Sequence, residues 1–236
     1  MASWVDRRID RLLGVLLPPR CVLCDAHGQP PCLDLCAACR ATLPARAAPL
    51  ESGLNPLDRR FAPFEYDFPV DHLVRGLKYR AQLATGRVLG SLLADAVSAY
   101  ALHLDVDCIV PVPLHPFRHA ERGFNQASEI ARRVGRVLGR RLECRMLSRT
   151  RHTRPQVGLR PDERRVNLEG AFDAEPRARA LRIALVDDVL TTGGTVTAAA
   201  RALLHAGACS VEAWCVARAV QHDRVDWRTA GEKRWP

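Results

Sequence analysis

An open, mostly parallel β-sheet with helices on both faces is the fold class that this 236-residue sequence predicts. Three observations carry the prediction. Short apolar runs alternate with segments of helical period from residue 73 onward, the pattern of repeated strand–helix–strand units. One of those runs, residues 181–186, leads into two acids and a Thr/Gly cluster, and the carboxyl end of a strand is where such sheets receive ligands. The length, with 47% apolar residues, suits one substantial core with a small appendage, or two modest domains.

Along the chain, residues 1–19 place Trp4, Val5, Ile9, Leu12, Leu13 and Leu16 at roughly helical spacing, so an amphipathic helix is expected, stopped by Pro18-Pro19. Its unbroken apolar stretch is too short to span a bilayer. It also lacks the apolar region and small-residue cleavage site of a signal peptide. Residues 20–46 form a cysteine-rich module, and residues 47–71 read as a Pro-rich connector with one short aromatic strand, FAPFEYDFP.

The main domain is assigned to residues 72–219. Leu83, Val88, Leu89, Leu92, Leu93 and Val97 mark one helix, and VDCIVPVPL (106–114) reads as a buried strand entering a Pro-stiffened loop. Ala127, Ile130, Ala131, Val134 and Leu138 mark a second helix that Gly139 ends or loosens, and residues 141–147 suggest another strand. The polar, Arg- and Thr-rich interval 148–165 is expected to be a mobile loop or hairpin. A strand at 181–186, an Ala/Leu-rich helix at 195–205 and a strand at 209–216 complete the core, followed by a polar tail at 220–236.

Lys plus Arg outnumber Asp plus Glu by 35 to 26, a net charge of +9 that favours a polyanionic partner. Five of nine cysteines fall between Cys21 and Cys39, which argues for a metal site rather than a secreted disulfide scaffold and places the chain in a reducing cytoplasm. The pairs Cys21-x2-Cys24 and Cys36-x2-Cys39 can each put two thiolates on one ion. Four thiolates make a closed, tetrahedral structural zinc site whose binding energy folds a segment too small for its own core. His27 and Cys32 are substitutes for one ligand, although the paired arrangement is complete without them.

The stretch ALVDDVLTTGGTV sets Asp187 and Asp188 at a strand end, before a turn in which Gly193 and Gly194 permit close backbone approach. Exposed N–H groups at the following helix start, with the hydroxyls of Thr191, Thr192 and Thr195, can hold a phosphate. The two carboxylates suit vicinal sugar hydroxyls or a bridging divalent ion. The order fits a ribose 5-phosphate better than a dinucleotide, and neither GxGxxG nor a P-loop is present. On spacing alone, a turn that merely caps the helix is the competing reading.

From Arg118 to Arg165 there are fourteen arginines against five acids. Arg118 and Arg122 follow a strand end, where guanidinium forks can meet a pyrophosphate. Arg149, Arg151 and Arg154 fall in the expected loop, able to close over a site or follow a nucleic-acid backbone. Phe117 or Phe124 can stack on bases or pack into the core, and Arg132, Arg133, Arg136 and Arg140 form a solvated helix face or a stripe that tracks polyphosphate.

VDDVLTTGGT resembles the phosphoribosyl-pyrophosphate (PRPP) signature of type I phosphoribosyltransferases. The resemblance implies that Asp187 and Asp188 contact the ribose 2′ and 3′ hydroxyls while residues 191–195 wrap the 5-phosphate. Hypoxanthine-guanine salvage enzymes carry a catalytic aspartate where this chain has Thr191, so their base-protonation chemistry is not expected. The CxxC…CxxC module, GLKYR (76–80), VPVPLHPFRHAERGFNQ (110–126), RTRHTRPQVGL, ERRVNLEGAF and the PRPP signature together look like the ComF family of competence proteins, over nearly the whole of residues 19–218. That family implies a zinc finger followed by a type I phosphoribosyltransferase-like domain, acting in natural transformation. The expected ligands are PRPP with Mg²⁺ and single-stranded DNA, with a helicase-type or DNA-uptake protein as a further partner. Two other readings stay open: a phosphoribosyltransferase acting on a nucleobase-like acceptor, with Asp187, Asp188 and Arg122 as its catalytic residues, and a zinc-dependent adaptor.

Overall fold

The computed structural model describes residues 19–29, 34–54, 56–80, 82–150 and 170–219. The expected N-terminal helix (but for residue 19), Cys32, Arg151, Arg154 and the polar tail lie outside them.

The main sheet runs in the order β1 (Leu50–Leu54), β2 (Leu57–Phe61), β9 (Ser210–Arg218), β8 (Arg182–Leu190), β4 (Cys108–Pro111) and β5 (Arg141–Leu142), with β3 (Phe64–Glu65) also beside β9. All pairings are parallel except the β1–β2 hairpin at one edge. A separate antiparallel ribbon joins β6 (Leu147–Arg149) and β7 (Phe172–Ala174). Residues 183–186 of β8 and 211–217 of β9 are buried nearly throughout. That is why their sequences are apolar runs rather than alternating ones: a central parallel strand is covered on both faces.

Among the described residues six α-helices follow in chain order: α1 (Ala37–Ala41), α2 (Val70–Arg80), α3 (Leu83–Ala99), α4 (Pro116–Arg122), α5 (Gln126–Leu138) and α6 (Gly194–His205). On one face of the sheet, α2, α3 and α5 share a core with Phe61, Ala184, Val186 and Trp214. On the other, α6 and the β6–β7 ribbon pack on Ile183, Leu185, Val211 and Ala213. The chain is therefore an α/β fold with helices on both faces of a mostly parallel sheet, the predicted class. Helices α3 and α5 approach closely because Gly90 has no side chain; a Cβ there would lie 2.6 Å from the Cβ of Arg133. The Asn125 side chain accepts from the Ala127 N–H at 3.0 Å to start α5, and Gly139, at φ 65°, ends it in the left-handed conformation.

Topology positions the site. From β4 the chain passes through α5 to β5 on one side, and from β8 through α6 to β9 on the other. Neighbouring β4 and β8 thus bound the crevice where the winding direction reverses. Strand β4 stops at Pro111, level with Val186, while β8 continues to Leu190. The last turn of pairing along β8 therefore has a neighbour on the β9 side and a crevice on the β4 side.

Four local expectations change. The strand expected at 181–186 runs to Leu190, because Asp187, Val189 and Leu190 keep pairing with Cys215, Ala217 and Arg218. Residues 47–71, expected as a connector with one strand, supply β1, β2 and β3 and the start of α2, so they extend the sheet. The strand expected at 141–147 is two pieces, β5 in the main sheet and β6 in the ribbon. The loop after residue 114 contains α4, which His115 caps and Gly123, at φ 76°, terminates.

The cysteine module lies against the main core, which takes in Cys21, Leu35 and Cys36. Arg40 pairs with Asp95 of α3 at 2.9 Å, and Arg87 of α3 reaches both carboxylate oxygens of Asp34 at 2.9 and 3.2 Å.

Candidate functional site

Asp187 and Asp188 project from β8 at the crevice, on opposite sides of the strand as successive residues must. Asp188 is only 4% exposed, and its Oδ2 lies 2.8 Å from Nζ of Lys78, in the last turn of α2. Burial opposes the charge on Lys78, but the neighbouring Asp188 and Asp187 carboxylates outweigh it and raise the lysine pKa, so the ammonium persists. The Asp188 N–H donates to Oδ1 of Asp187 at 2.8 Å. Asp187 opens partly to the crevice, yet burial and then repulsion from Asp188 push its pKa up from 3.8 to about 7. That rise prevails over the Asp188 N–H, Lys78 and Arg149, which favour the carboxylate.

A cleft of about 320 Å³ opens over these acids. Arg118, Arg122, Arg149, Thr191 and Thr195 line it, and Lys78 and Tyr79 come from α2. Arg122 donates to the Gln126 side chain at 3.2 Å and lies over the Tyr79 ring, 5.5 Å from its centroid. Arg149 does not extend outward as a loop residue. It ends β6, stacks 5.4 Å from the Phe172 centroid, and has its pKa lowered by burial and by Arg118. Of the arginines expected to track nucleic acid, the described one therefore faces the cleft. Phe124 packs partly buried on the core, while Phe117 is exposed on α4.

The turn from β8 into α6 comprises Thr191, Thr192 and Gly193, with Gly194 opening the helix. Gly193 has φ +81°, and a Cβ on it would meet Nη1 of Arg60 at 2.9 Å. The first N–H groups of a helix have no intrahelical acceptors, and a turn of this kind is able to donate to an anion. Arg60 of β2 flanks this turn and donates to the Thr197 hydroxyl at 3.0 Å. Burial lowers its pKa, as expected for an incompletely compensated cation.

Lys78, Tyr79 and Arg60 are the residues that reading the sequence for a site missed. GLKYR carried the first two only as part of a resemblance. Arg60 sits in the segment taken for a connector, with no sequence signal linking it to residue 193.

The thiols of Cys21, Cys24, Cys36 and Cys39 all lie within 4.8 Å of one another, with Cys24 Sγ and Cys36 Sγ 3.7 Å apart. Four sulfurs at 2.3 Å around zinc define a tetrahedron with edges of about 3.8 Å. The donor set, number and spacing therefore fit a structural zinc. Burial resists ionisation of Cys21, but N–H groups of Cys36, Leu23 and Cys24 outweigh it and hold its pKa at about 7, favourable to a thiolate ligand. The Cys39 N–H also points to Cys36 Sγ at 3.4 Å. His27 is not part of this cluster; its backbone forms an isolated antiparallel bridge with Arg20. Among the described residues, no helix is long and apolar enough to cross a membrane.

Comparison with known proteins adds an independent finding. Residues 120–230 match the family model of the phosphoribosyl transferase domain. The chain is 34% identical over 208 residues to a DNA utilization protein YhgH of Salmonella typhimurium, covering 86% of this chain and 85% of the relative. It is 35% identical over 161 residues to competence protein F of Haemophilus influenzae, covering 65% and 70% respectively. Competence protein ComFC of Bacillus subtilis matches at 36% identity over 119 residues, 47% of this chain and 44% of that one.

Proposed function

Because this chain belongs to the ComF family of competence and DNA-utilization proteins, we propose that it binds PRPP in the β4–β8 crevice and single-stranded DNA beside it. Its role would be in the uptake and processing of incoming DNA. The observation that carries the reading is the convergence, in one cleft at the sheet's switch point, of Asp187 and Asp188, Thr191 and Thr195 from the turn into α6, and three arginines. In this reading the 5-phosphate occupies the cradle at residues 191–195, Asp187 and Asp188 take the ribose hydroxyls, and Arg118, Arg122 and Arg149 face the pyrophosphate. Asp187 and Asp188 would also be the protein ligands of a Mg²⁺, which would supply charge neutralisation for the diphosphate.

A second reading is favoured by the same three arginines, which stand where a diphosphate would depart. In a transferase the C1′–O bond to diphosphate breaks as an acceptor nitrogen bonds to C1′, and the guanidinium groups stabilise the departing charge. The chain's residues would then orient the sugar and hold the leaving group.

Titration calorimetry with PRPP and Mg²⁺ tests the shared premise. The wild-type protein should bind, and the double variant D187N/D188N should bind at least about tenfold more weakly, the loss of one or two charged hydrogen bonds. Unchanged affinity in the double variant overturns the placement. Diphosphate release from labelled PRPP, with single-stranded DNA or a panel of bases present, separates the transferase from the ligand-gated DNA binder. DNA affinity should fall steeply with rising salt.

A further inference from the structure

Tyr79 exposes 74% of its surface although it lines the cleft beside the acid pair. Its helix is firmly seated, since Leu73, Val74 and Leu77 of the same helix are fully buried. The preceding residue, Lys78, is fixed by its ion pair with Asp188. The ring is thus a flat apolar surface in the cleft that holds the proposed ribose site, and the Arg122 guanidinium covers one of its faces at 5.5 Å. An ordinary surface tyrosine needs no such surroundings. Here an exposed aromatic, a stacked guanidinium and a ribose-type acid pair share one opening.

We infer that Tyr79, backed by Arg122, is a stacking platform for an unpaired nucleobase. The inference rests on the reading that the cleft holds an activated ribose. A base on the open face of the ring would complete an Arg–Tyr–base stack, in which the guanidinium draws on the ring's electron-rich face and the base on its flat apolar area. Every base has such a face, so the platform selects for an unstacked base without reading its sequence. The base can arrive as a free nucleobase acceptor or as part of a single-stranded DNA. Both present the same ring.

The test uses the zinc-loaded full-length protein and two variants, Tyr79→Leu and Tyr79→Phe, whose thermal melting should match wild type because the side chain is exposed. The probes are a fluorescent 20-mer of thymidylate, an abasic 20-mer of equal charge, and free adenine and thymine. Wild type should prefer at least one base-bearing probe. Tyr79→Leu should weaken that binding by about 5- to 100-fold while leaving abasic binding unchanged, and Tyr79→Phe should retain it. Tyr79-dependent binding of the 20-mer names DNA as the source, and Tyr79-dependent binding of free base alone names a small acceptor; either supports the platform. If the 20-mer binds equally with and without bases and equally in Tyr79→Leu, and neither free base binds in a Tyr79-dependent way, the platform is overturned while the DNA reading stands. If PRPP binds but no base-bearing probe does, the platform and the DNA role both fall, and the ribose site alone remains.

Discussion

At the scale of single residues, the acid pair is held in an unequal state. Asp188 is buried against an ammonium 2.8 Å away, whereas Asp187 is pushed up to about 7 by burial and by that same neighbour. A folded pKa above the unfolded value of 3.8 means the native state binds more protons between those limits. This group's contribution therefore lowers stability as pH rises from about 4 to about 7. Binding of a polyol or a cation that needs the carboxylate has the opposite dependence. PRPP affinity measured by calorimetry should strengthen as pH rises through about 7, over and above the titration of PRPP itself. In Lys78→Met the midpoint should move upward, because the lysine's charge favours ionisation of Asp187, and affinity at pH 7 should fall by roughly 5- to 10-fold. A flat profile in the wild type would mean that Asp187 binds in its protonated form or does not touch the ligand. The lysine is also what lets two adjacent carboxylates coexist at so little exposure, since a buried carboxylate without a partner is costly.

At the scale of elements, the turn between β8 and α6 is tightened from outside by β2. Gly193 adopts φ +81° with Nη1 of Arg60 2.9 Å from where a Cβ would stand. Gly193→Ala should cost about 1–2 kcal/mol in chemical denaturation, from the left-handed backbone alone. It should weaken PRPP binding more than tenfold, because Arg60 must shift and the cradle with it. Equal losses of stability and binding would instead indicate general unfolding of the turn. The contact also explains why parts of the site were legible in the sequence and others not. Asp187, Asp188 and the Thr/Gly cluster are contiguous, so their spacing describes the cradle directly. Helices α3 and α5 are amphipathic over several turns, and β8 and β9 are continuous apolar runs, so periodicity reveals them. Strands β1 to β3 are five residues or fewer, lie toward the sheet's edge and include Arg59 and Arg60, which carry no strand pattern. Arg149 lies at the end of a three-residue strand whose partner, β7, begins at Phe172, so local pattern gives no hint that it turns to the cleft. Lys78 and Tyr79 reach the site through the packing of α2 against α3 over the shared core, a tertiary relation that no local pattern encodes.

At the scale of the whole molecule, the cysteine module and the sheet domain are one mechanical unit. Cys21 and Cys36, two of the four thiol ligands, are themselves members of the core that includes Leu73 and Leu77 of α2 and Leu89 and Leu93 of α3. Removing the metal leaves a segment whose described residues carry one helix, five residues long and with none of those five buried, so the module has little else to hold its shape. Its loss uncovers the apolar side chains it shares with α2 and α3. The ion pairs Arg40–Asp95 and Arg87–Asp34 are too exposed to restrain it alone. Chelation of zinc should therefore lower the melting temperature of the sheet domain itself, by about 5–15 °C if the uncovered contacts are worth roughly 2–4 kcal/mol. Because α2 carries Lys78 and Tyr79, the same treatment should also weaken PRPP binding, with readdition of zinc restoring both. Arg40→Ala at full zinc occupancy separates the two parts of the argument: it removes an ion pair but keeps the metal, and should change melting by no more than about 1 kcal/mol equivalent. A sheet domain that melts unchanged after verified zinc removal would show that the module is an independent appendage, despite its thiols lying in the shared core.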